Sequence, residues 1–126
     1  MSIPVDLDAL RDELAGHERP AYVVTAGDSG GPHLVSVFLT WADGAFTTGC
    51  GNKTARNVGE RPEVSVVVPP DDPGGYSLIF DATGEVVDGD PRMLRLTPQK
   101  AVLHRPAGGP DDVGGCGHDC APLGST

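Results

Sequence analysis

The sequence predicts a mainly β protein, folded as a small barrel of five or six antiparallel strands. Short segments rich in β-branched and aromatic residues alternate with turns rich in Gly, Pro and Asp, which is typical of successive antiparallel strands. Helical spacing is confined to the N-terminal region and to one short segment near the middle. In a chain of 126 residues, closing the sheet removes its exposed strand edges.

An N-terminal helix is predicted from Leu7, Leu10 and Leu14, which recur at helical spacing. Asp6 is suited to cap the start of this helix, and Gly16 is suited to end it. We expect the helix to lie across one end of the barrel.

The strands are predicted from apolar segments bounded by turn residues. They are Ala21–Ala26, 32–41, 45–48, Glu63–Val68, 76–87, and either a last pair at 92–97 and 99–105 or one strand interrupted at Pro98. Asn52–Glu60 is predicted to form one or two helical turns, with Asn52 or Thr54 as the N-cap. Gly84, inside a long strand, predicts a β-bulge or the close approach of another backbone or a ligand.

The segment 32–41 alternates in a way that predicts contacts on both of its faces. The odd positions are mostly apolar and the even positions are half apolar: His33, Val35, Val37, Leu39 and Trp41 against Leu34, Ser36, Phe38 and Thr40.

The charge of the chain excludes some classes of partner. The net charge is −9, although residues 51–62 hold three bases against one acid. Binding nucleic acid or an anionic membrane needs clustered Lys and Arg, so we expect neither partner. A small anion captured at the basic segment remains compatible with this composition.

The length predicts one folded domain at residues 1–106, followed by a flexible Gly- and Pro-rich tail at residues 107–126. No apolar run approaches the roughly 20 residues of a membrane span, and the N-terminus lacks the order of a signal peptide. Three cysteines, an odd number, favour reduced thiols over a secreted disulfide framework. We therefore expect a cytoplasmic protein.

Residues 47–58, with the sequence TTGCGNKTARNV, predict a phosphate-binding turn. Backbone amides at a helix start can point at an anion while Lys53 and Arg56 contact it. Cations at a helix start gain nothing from the helix dipole, and a bound anion explains their placement. The alternative is that Lys53 and Arg56 form a solvated helix face.

The tail contains Cys116, His118 and Cys120 in the sequence CGHDC. Two thiolates and an imidazole could ligate zinc or another soft metal, although a closed zinc site needs four ligands and Cys50 would have to contribute. The alternatives are a redox-active dithiol, closure of a cofactor site, and a tail of minor functional importance.

The order and spacing of these segments resemble the pyridoxamine 5′-phosphate oxidase-like, flavin-binding split-barrel superfamily. The resemblance covers about residues 21–105 and implies a six-stranded antiparallel split barrel with an N-terminal helix and one short helix. The segments that carry it are AYVVT at 21–25, GPHLVSVF at 31–38, DGAFTT at 43–48, KTARNV at 53–58, RPEVSV at 61–66, TGEV at 83–86 and TPQKAV at 97–102.

The resemblance also implies a set of cofactor-binding residues. One strand lines the isoalloxazine ring and ribityl chain largely through its backbone, a strand end contacts the cofactor, and a basic pair holds its phosphate. The matching positions are His33, Val35, Ser36 and Val37, then Thr47 and Thr48, then Lys53 and Thr54, with Arg56 in place of the second base of the pair. His33 stands where some relatives have an arginine.

The function implied by the resemblance is that of an oxidoreductase acting on a small organic molecule with FMN or, alternatively, the deazaflavin coenzyme F420. The cofactor would supply the hydride chemistry, so no catalytic residue is assigned. A homodimer with cofactor sites between its subunits is also implied. Relatives commonly insert a helix after the Gly84 strand, where residues 88–91 leave room only for a turn. The pocket wall that this helix helps to build is then either missing or supplied otherwise, and a partner chain could supply it. The alternatives are a non-catalytic flavin- or haem-binding barrel and a metal-binding barrel organised by the tail.

Overall fold

The fold is taken from a computed structural model, which describes residues 2–17 and 19–107. One antiparallel sheet of eight strands and two short α-helices make up this part of the chain, which confirms the mainly β class. The elements are β1 (Ser2–Val5), a 3₁₀ turn (Leu7–Ala9), α1 (Leu10–Ala15), β2 (Ala21–Ala26), β3 (Pro32–Val37), β4 (Thr40–Ala42), β5 (Ala45–Gly49), α2 (Asn52–Glu60), β6 (Glu63–Val68), β7 (Ser77–Val87) and β8 (Met93–His104).

The strand count exceeds the predicted six for two reasons. β1 was not predicted, because its partner is β8, about 100 residues along the chain. The segment 32–41 was predicted as one strand, but it divides into β3, which pairs with β2, and β4, which pairs with β5. In the sheet order β3-β2-β6-β7-β8-β5-β4, residues 38–39 therefore cross between opposite edges, and this connection curls the sheet into a half-barrel.

β8 pairs with three other strands of the sheet. It is one continuous strand that pairs with β7 on one side, and with β5 and then β1 on the other. The register shifts by one residue beside Pro98, where Asp81 lies opposite Lys100 and Ala82 lies opposite Pro98. Of the two predicted possibilities, one strand rather than a pair is therefore confirmed, with a β-bulge at Gln99 in place of an interruption at Pro98.

The N-terminal helix forms, but it is shorter than the leucine spacing predicted. Leu10 is fully buried in the core and Leu14 packs against it, whereas Leu7 lies in the 3₁₀ turn and is 40% exposed. Asp6 is the N-cap of the 3₁₀ turn, although its side chain makes no capping bond, and Gly16 is the C-cap of α1 as predicted.

Gly84 is the point where β7 passes α2. A Cβ built at Gly84 would lie 3.0 Å from Val58 Cγ1, and the Gly84 N–H donates to the Pro62 carbonyl over 2.7 Å. The predicted close approach is confirmed, and only Gly removes the atom that would prevent it. Val58 joins the core, which includes Val23, Phe46 and Phe80.

Candidate functional site

A cavity of about 270 Å³ lies between β3, the start of α2 and β8. We call it the β3–α2 cavity. Five residues predicted to bind a cofactor line it: His33, Val35, Val37, Lys53 and Thr54. The other described lining residues are Gly49, Gly51, Asn52 and Leu94, and no acidic residue of the described ranges lines the cavity. The residues come from segments separated by up to 61 positions in sequence, and the fold brings them into one place.

β3 forms one wall of this cavity through alternate residues. His33, Val35 and Val37 are half-buried, and the two valines pack against the core. Ser36 lies on the opposite, exposed face of the strand, so its side chain does not line the cavity. β3 is also an end of the described sheet, so one of its edges carries backbone groups that pair with no described strand.

α2 begins at the cavity without a side-chain cap. Gly51 is the N-cap, in an extended conformation, so the predictions that Asn52 or Thr54 caps the helix are wrong. The first amide groups of a helix lack intrahelical partners, and no acidic residue occupies this first turn. Lys53 is exposed there, while Thr54 is only 3% exposed, and no described residue forms a hydrogen bond with its side chain. Amides, a cation and a hydroxyl thus converge where an anion would be stabilised.

Arg92 holds the segment that precedes α2. Its Nε and Nη2 donate to the Cys50 carbonyl over 3.2 and 3.0 Å, and Nη2 also donates to Asn52 Oδ1 over 2.8 Å. The Cys50 N–H donates back to the Arg92 carbonyl over 3.2 Å. Burial raises the pKa of the Cys50 thiol, an effect that the Arg92 charge partly opposes, so Cys50 is a thiol at neutral pH. Arg92 was not predicted, and its only sequence signal is its position just before the strand that pairs with β5.

Arg56 points away from the β3–α2 cavity. Its Nη2 donates to Asp28 Oδ2 in the turn between β2 and β3, and Arg61 lies 3.5 Å from the other oxygen of that carboxylate. The hydrogen bond from Arg56 is the main reason that the pKa of Asp28 falls from 3.8 to about 2. In this structure Arg56 ties α2 to the β2–β3 turn rather than lining the cavity.

The threonine pair at the end of β5 lies beside the cavity but does not line it. Thr47 donates its hydroxyl to the Thr40 carbonyl over 3.3 Å, which fixes it to β4. Thr48 is 8% exposed and faces the interior, as Phe46 does. Asn57 is a further residue that the sequence did not reveal, and its buried amide donates to Thr25 Oγ1 over 3.0 Å, which joins α2 to β2.

No protein-family model matches the chain. An uncharacterised protein of Mycobacterium bovis is 40% identical over 76 residues, which are 56% of this chain and 54% of that protein. An uncharacterised protein of Mycobacterium tuberculosis matches to the same extent. The chain thus spans about half the length of these curated relatives.

Solved structures match over most of the chain. A Clostridium acetobutylicum protein of the pyridoxine phosphate oxidase family, related to general stress protein 26, has a TM-score of 0.63 at 16% identity, over 80% of this chain and 91% of its own. An F420 reductase has a TM-score of 0.57 at 17% identity, over 71% and 94%. HutZ, the haem storage protein of Vibrio cholerae, has a TM-score of 0.60 at 16% identity, over 78% and 94%. The chain shares the split-barrel fold of these solved structures. At these identities the likeness establishes the fold alone.

In this split barrel, residues 88–92 join β7 to β8 directly, so no helix is inserted after the Gly84 strand. Within residues 2–17 and 19–107, no helix is long and apolar enough to cross a membrane. The cytoplasmic location stays a prediction.

The predicted metal ligands Cys116, His118 and Cys120 lie outside the described residues, as does almost all of the predicted tail. The described part of the chain contains no group of three His, Cys, Asp or Glu side chains that could hold a metal ion. The domain boundary at residues 106–107 and the metal or redox role of the tail therefore stay predictions.

Proposed function

We propose that this split barrel binds a phosphate-bearing flavin, FMN or the deazaflavin F420, in the β3–α2 cavity and acts as an oxidoreductase on a small organic molecule. One observation carries the proposal: the uncapped start of α2, with Lys53 and Thr54, shares a single cavity with the inner face of β3. The β3–α2 cavity thus contains both hydrogen-bond donors for an anion and an apolar wall.

The phosphate is assigned to the start of α2. The free amides of the first helical turn, the Lys53 ammonium and the Thr54 hydroxyl offer donors to its oxygens. Thr54 is nearly buried and makes no side-chain bond to a described residue, which leaves its hydroxyl available. The lack of an acid among the described lining residues matters because the chain carries a net charge of −9.

The ribityl chain and ring are assigned to the apolar wall made by Val35, Val37 and Leu94, with His33 at the start of β3. The cavity of about 270 Å³ lies just below the range of about 300–1,000 Å³ that is usual for whole ligands. A single chain would therefore cover only part of the cofactor. A homodimer, in which the partner chain covers the remainder, is part of the proposal.

These assignments give the cofactor and the protein chain different roles in the reaction. The bound flavin would supply hydride transfer, while the chain positions it. Lys53 and the α2 amides fix the phosphate end, and the valines of β3 exclude water from the other end.

The binding proposal is tested by titrating the protein with FMN, and separately with F420, while recording cofactor absorbance and fluorescence. We expect Lys53→Ala to weaken binding at least tenfold, or about 1.4 kcal/mol, because a charge-assisted contact is lost. Arg56→Ala is the matched control, since Arg56 has the same charge on the same helix but lies outside the cavity lining. Equal affinities for the wild type and Lys53→Ala would refute the assignment.

Catalysis is distinguished from storage by a second measurement on the loaded protein. The reduced cofactor is mixed with increasing 1,4-benzoquinone, and its reoxidation is followed by absorbance. An oxidoreductase should show rates that saturate with the acceptor and exceed those of the free cofactor. A rate that never exceeds that of the free cofactor would favour a non-catalytic carrier.

Haem binding is the second candidate, because HutZ shares the fold and His33 lines the cavity. A histidine is a suitable axial ligand for haem iron. Titration with hemin should then give a Soret band that His33→Ala abolishes and His104→Ala retains, since His104 lies near Ser2 at the β1–β8 pairing. A spectrum unaffected by His33→Ala would exclude His33 as the ligand.

A further inference from the structure

A second cavity, of about 320 Å³, lies between α1, the start of β2 and β4. We call it the α1–β4 cavity. Its floor is aromatic: Trp41 meets Phe46 edge to face, with ring centroids 4.8 Å apart. Leu14 and Leu39 extend the apolar wall, and Phe38, which is 73% exposed, also lines the cavity. These dimensions and walls suit a small, flat, apolar molecule.

The polar side chains among the described lining residues are all basic. They are Arg11, His17 and Arg19, and no acidic residue of the described ranges lines the α1–β4 cavity. In a chain with a net charge of −9, these three basic residues form a local exception. An anionic ligand is favoured there over a cationic one.

Two of these three basic side chains are already occupied. His17 Nδ1 lies 2.9 Å from the Glu13 carbonyl, and Nε2 lies 3.2 Å from the Tyr76 carbonyl. Arg19 Nε lies 3.7 Å from a carboxylate oxygen of Asp71. Arg11 has no hydrogen bond or ion pair with any described residue. Its guanidinium is thus the cation available to a ligand.

Trp41 offers the second available donor. Its ring packs on Phe46 at the floor, and its indole N–H makes no hydrogen bond to a described residue. No buried side-chain N or O among the described residues lacks a partner, so this N–H is accessible and can donate to a ligand acceptor. An apolar floor with two free donors matches an aromatic ring that carries an acid group.

We propose that the α1–β4 cavity binds a small aromatic carboxylate, with its ring against Trp41 and Phe38 and its carboxylate against Arg11. The site shares no lining residue with the β3–α2 cavity, so it goes beyond the proposed cofactor function and does not depend on it. Arg11 contributes charge recognition, and the aromatic residues contribute affinity.

The test uses trans-cinnamate and its neutral amide, trans-cinnamamide, as probes of the cofactor-free full chain. Trp41 is the only tryptophan, so its indole N–H gives a single signal in a ¹⁵N–¹H spectrum. We expect cinnamate to shift that signal and to bind about fivefold more tightly than cinnamamide, as measured by calorimetry. An unmoved indole signal, or equal affinities for acid and amide, would overturn the proposal.

Two variants test whether Arg11 is the residue that recognises the carboxylate of cinnamate. Arg11→Ala should remove the preference for cinnamate and leave cinnamamide binding unchanged. Lys100→Ala, an exposed cation on β8 that lines neither cavity, changes the net charge equally and should keep the preference. The same loss in both variants would mean that net charge, rather than Arg11, attracts the probe, and would overturn the assignment. Retained amide dispersion in each spectrum verifies that the variants are folded.

Discussion

Gly84 provides a test of packing at the scale of one residue. Gly84→Ala would place a methyl group 3.0 Å from Val58 Cγ1, closer than the two can pack without a shift of α2. We expect the free energy of unfolding to fall by about 1–3 kcal/mol, as is usual for overpacking. Urea denaturation measures this change.

Gly59 is the matched control for that substitution. It lies in α2, and a Cβ there would meet no atom within 4 Å. Gly59→Ala should therefore raise stability by up to about 1 kcal/mol, because Gly is a poor helix former. Equal effects at the two positions would contradict the packing explanation.

Asp28 carries a pH-dependent contribution to stability. Its pKa is about 2 in the folded chain, against 3.8 for the free side chain, mainly because Arg56 donates a hydrogen bond to it. A depressed folded pKa stabilises the protein fully above pH 3.8, and this contribution is lost as the pH falls towards 2.

Carboxylate ¹³C NMR should show the pKa of Asp28 rising towards 3.8 in Arg56→Ala. Denaturation at pH 5 and at pH 2.5 should show a smaller loss of stability in Asp28→Asn than in the wild type. An unchanged Asp28 titration in Arg56→Ala would mean that another group lowers its pKa.

The residues of the candidate site could be predicted only in part. His33, Val35, Val37, Lys53 and Thr54 were found because strand alternation and the sequence before a helix are local signals. Arg92 was not found, because residue 92 comes to lie beside residue 50 only through the pairing of Gly49 with Met93. Arg56 was assigned to the phosphate because the sequence does not show that Asp28 lies beside it.

At the scale of the secondary-structure element, the break between β3 and β4 could not be predicted from the pattern of apolar and polar residues. The odd positions stay apolar through Val37, Leu39 and Trp41, so the pattern shows no break at residues 38–39. The division is decided by partners, since β3 pairs with β2 and β4 pairs with β5. Strand existence was predictable from local pattern, whereas strand order was not, because it depends on contacts between distant segments.

The position of α2 depends on Arg92. Removing its side chain in Arg92→Ala deletes donors to the Cys50 carbonyl and to Asn52 Oδ1. We expect a loss of about 1.5–3 kcal/mol in the free energy of unfolding, and weaker binding of FMN because the helix start is no longer fixed. Urea denaturation and FMN titration on the same sample measure the two effects.

Arg95→Ala is the control for Arg92→Ala, since Arg95 also precedes the bulge in β8 but makes one bond, to the Asp43 carbonyl over 2.9 Å. We expect a smaller loss of stability and unchanged affinity for FMN. Equal losses of affinity in both variants would show that Arg92 has no special role at α2.

At the scale of the whole molecule, the proposed homodimer has a candidate contact surface. Leu34, on the outward face of β3, is 57% exposed. An exposed apolar side chain on an edge strand favours association. Leu34→Asp should convert a dimer to a monomer in sedimentation velocity, while Glu85→Ala, on an exposed part of β7, should not. A wild-type chain that sediments as a monomer would contradict the proposal.

The fold class followed from composition and turn spacing, because barrels of this size need many short strands and frequent turns. The curvature of the sheet could not be predicted from the sequence, because it requires residues 38–39 to join strands at opposite edges of the sheet. The β3–α2 cavity depends on that curl, because it joins one edge strand to the start of α2 and to β8. The sequence therefore predicted the members of the site better than its shape.

The pairing of β1 with β8 has a consequence for how the chain reaches its fold. Ser2 lies opposite His104 and Val5 lies opposite Ala101, so the first strand has no partner until residue 101 has been synthesised. Contacts between such distant segments slow folding, because a long loop must close before they form. β1 is therefore expected to dock late, and a nascent chain released before residue 101 would carry an unpaired apolar N-terminal segment.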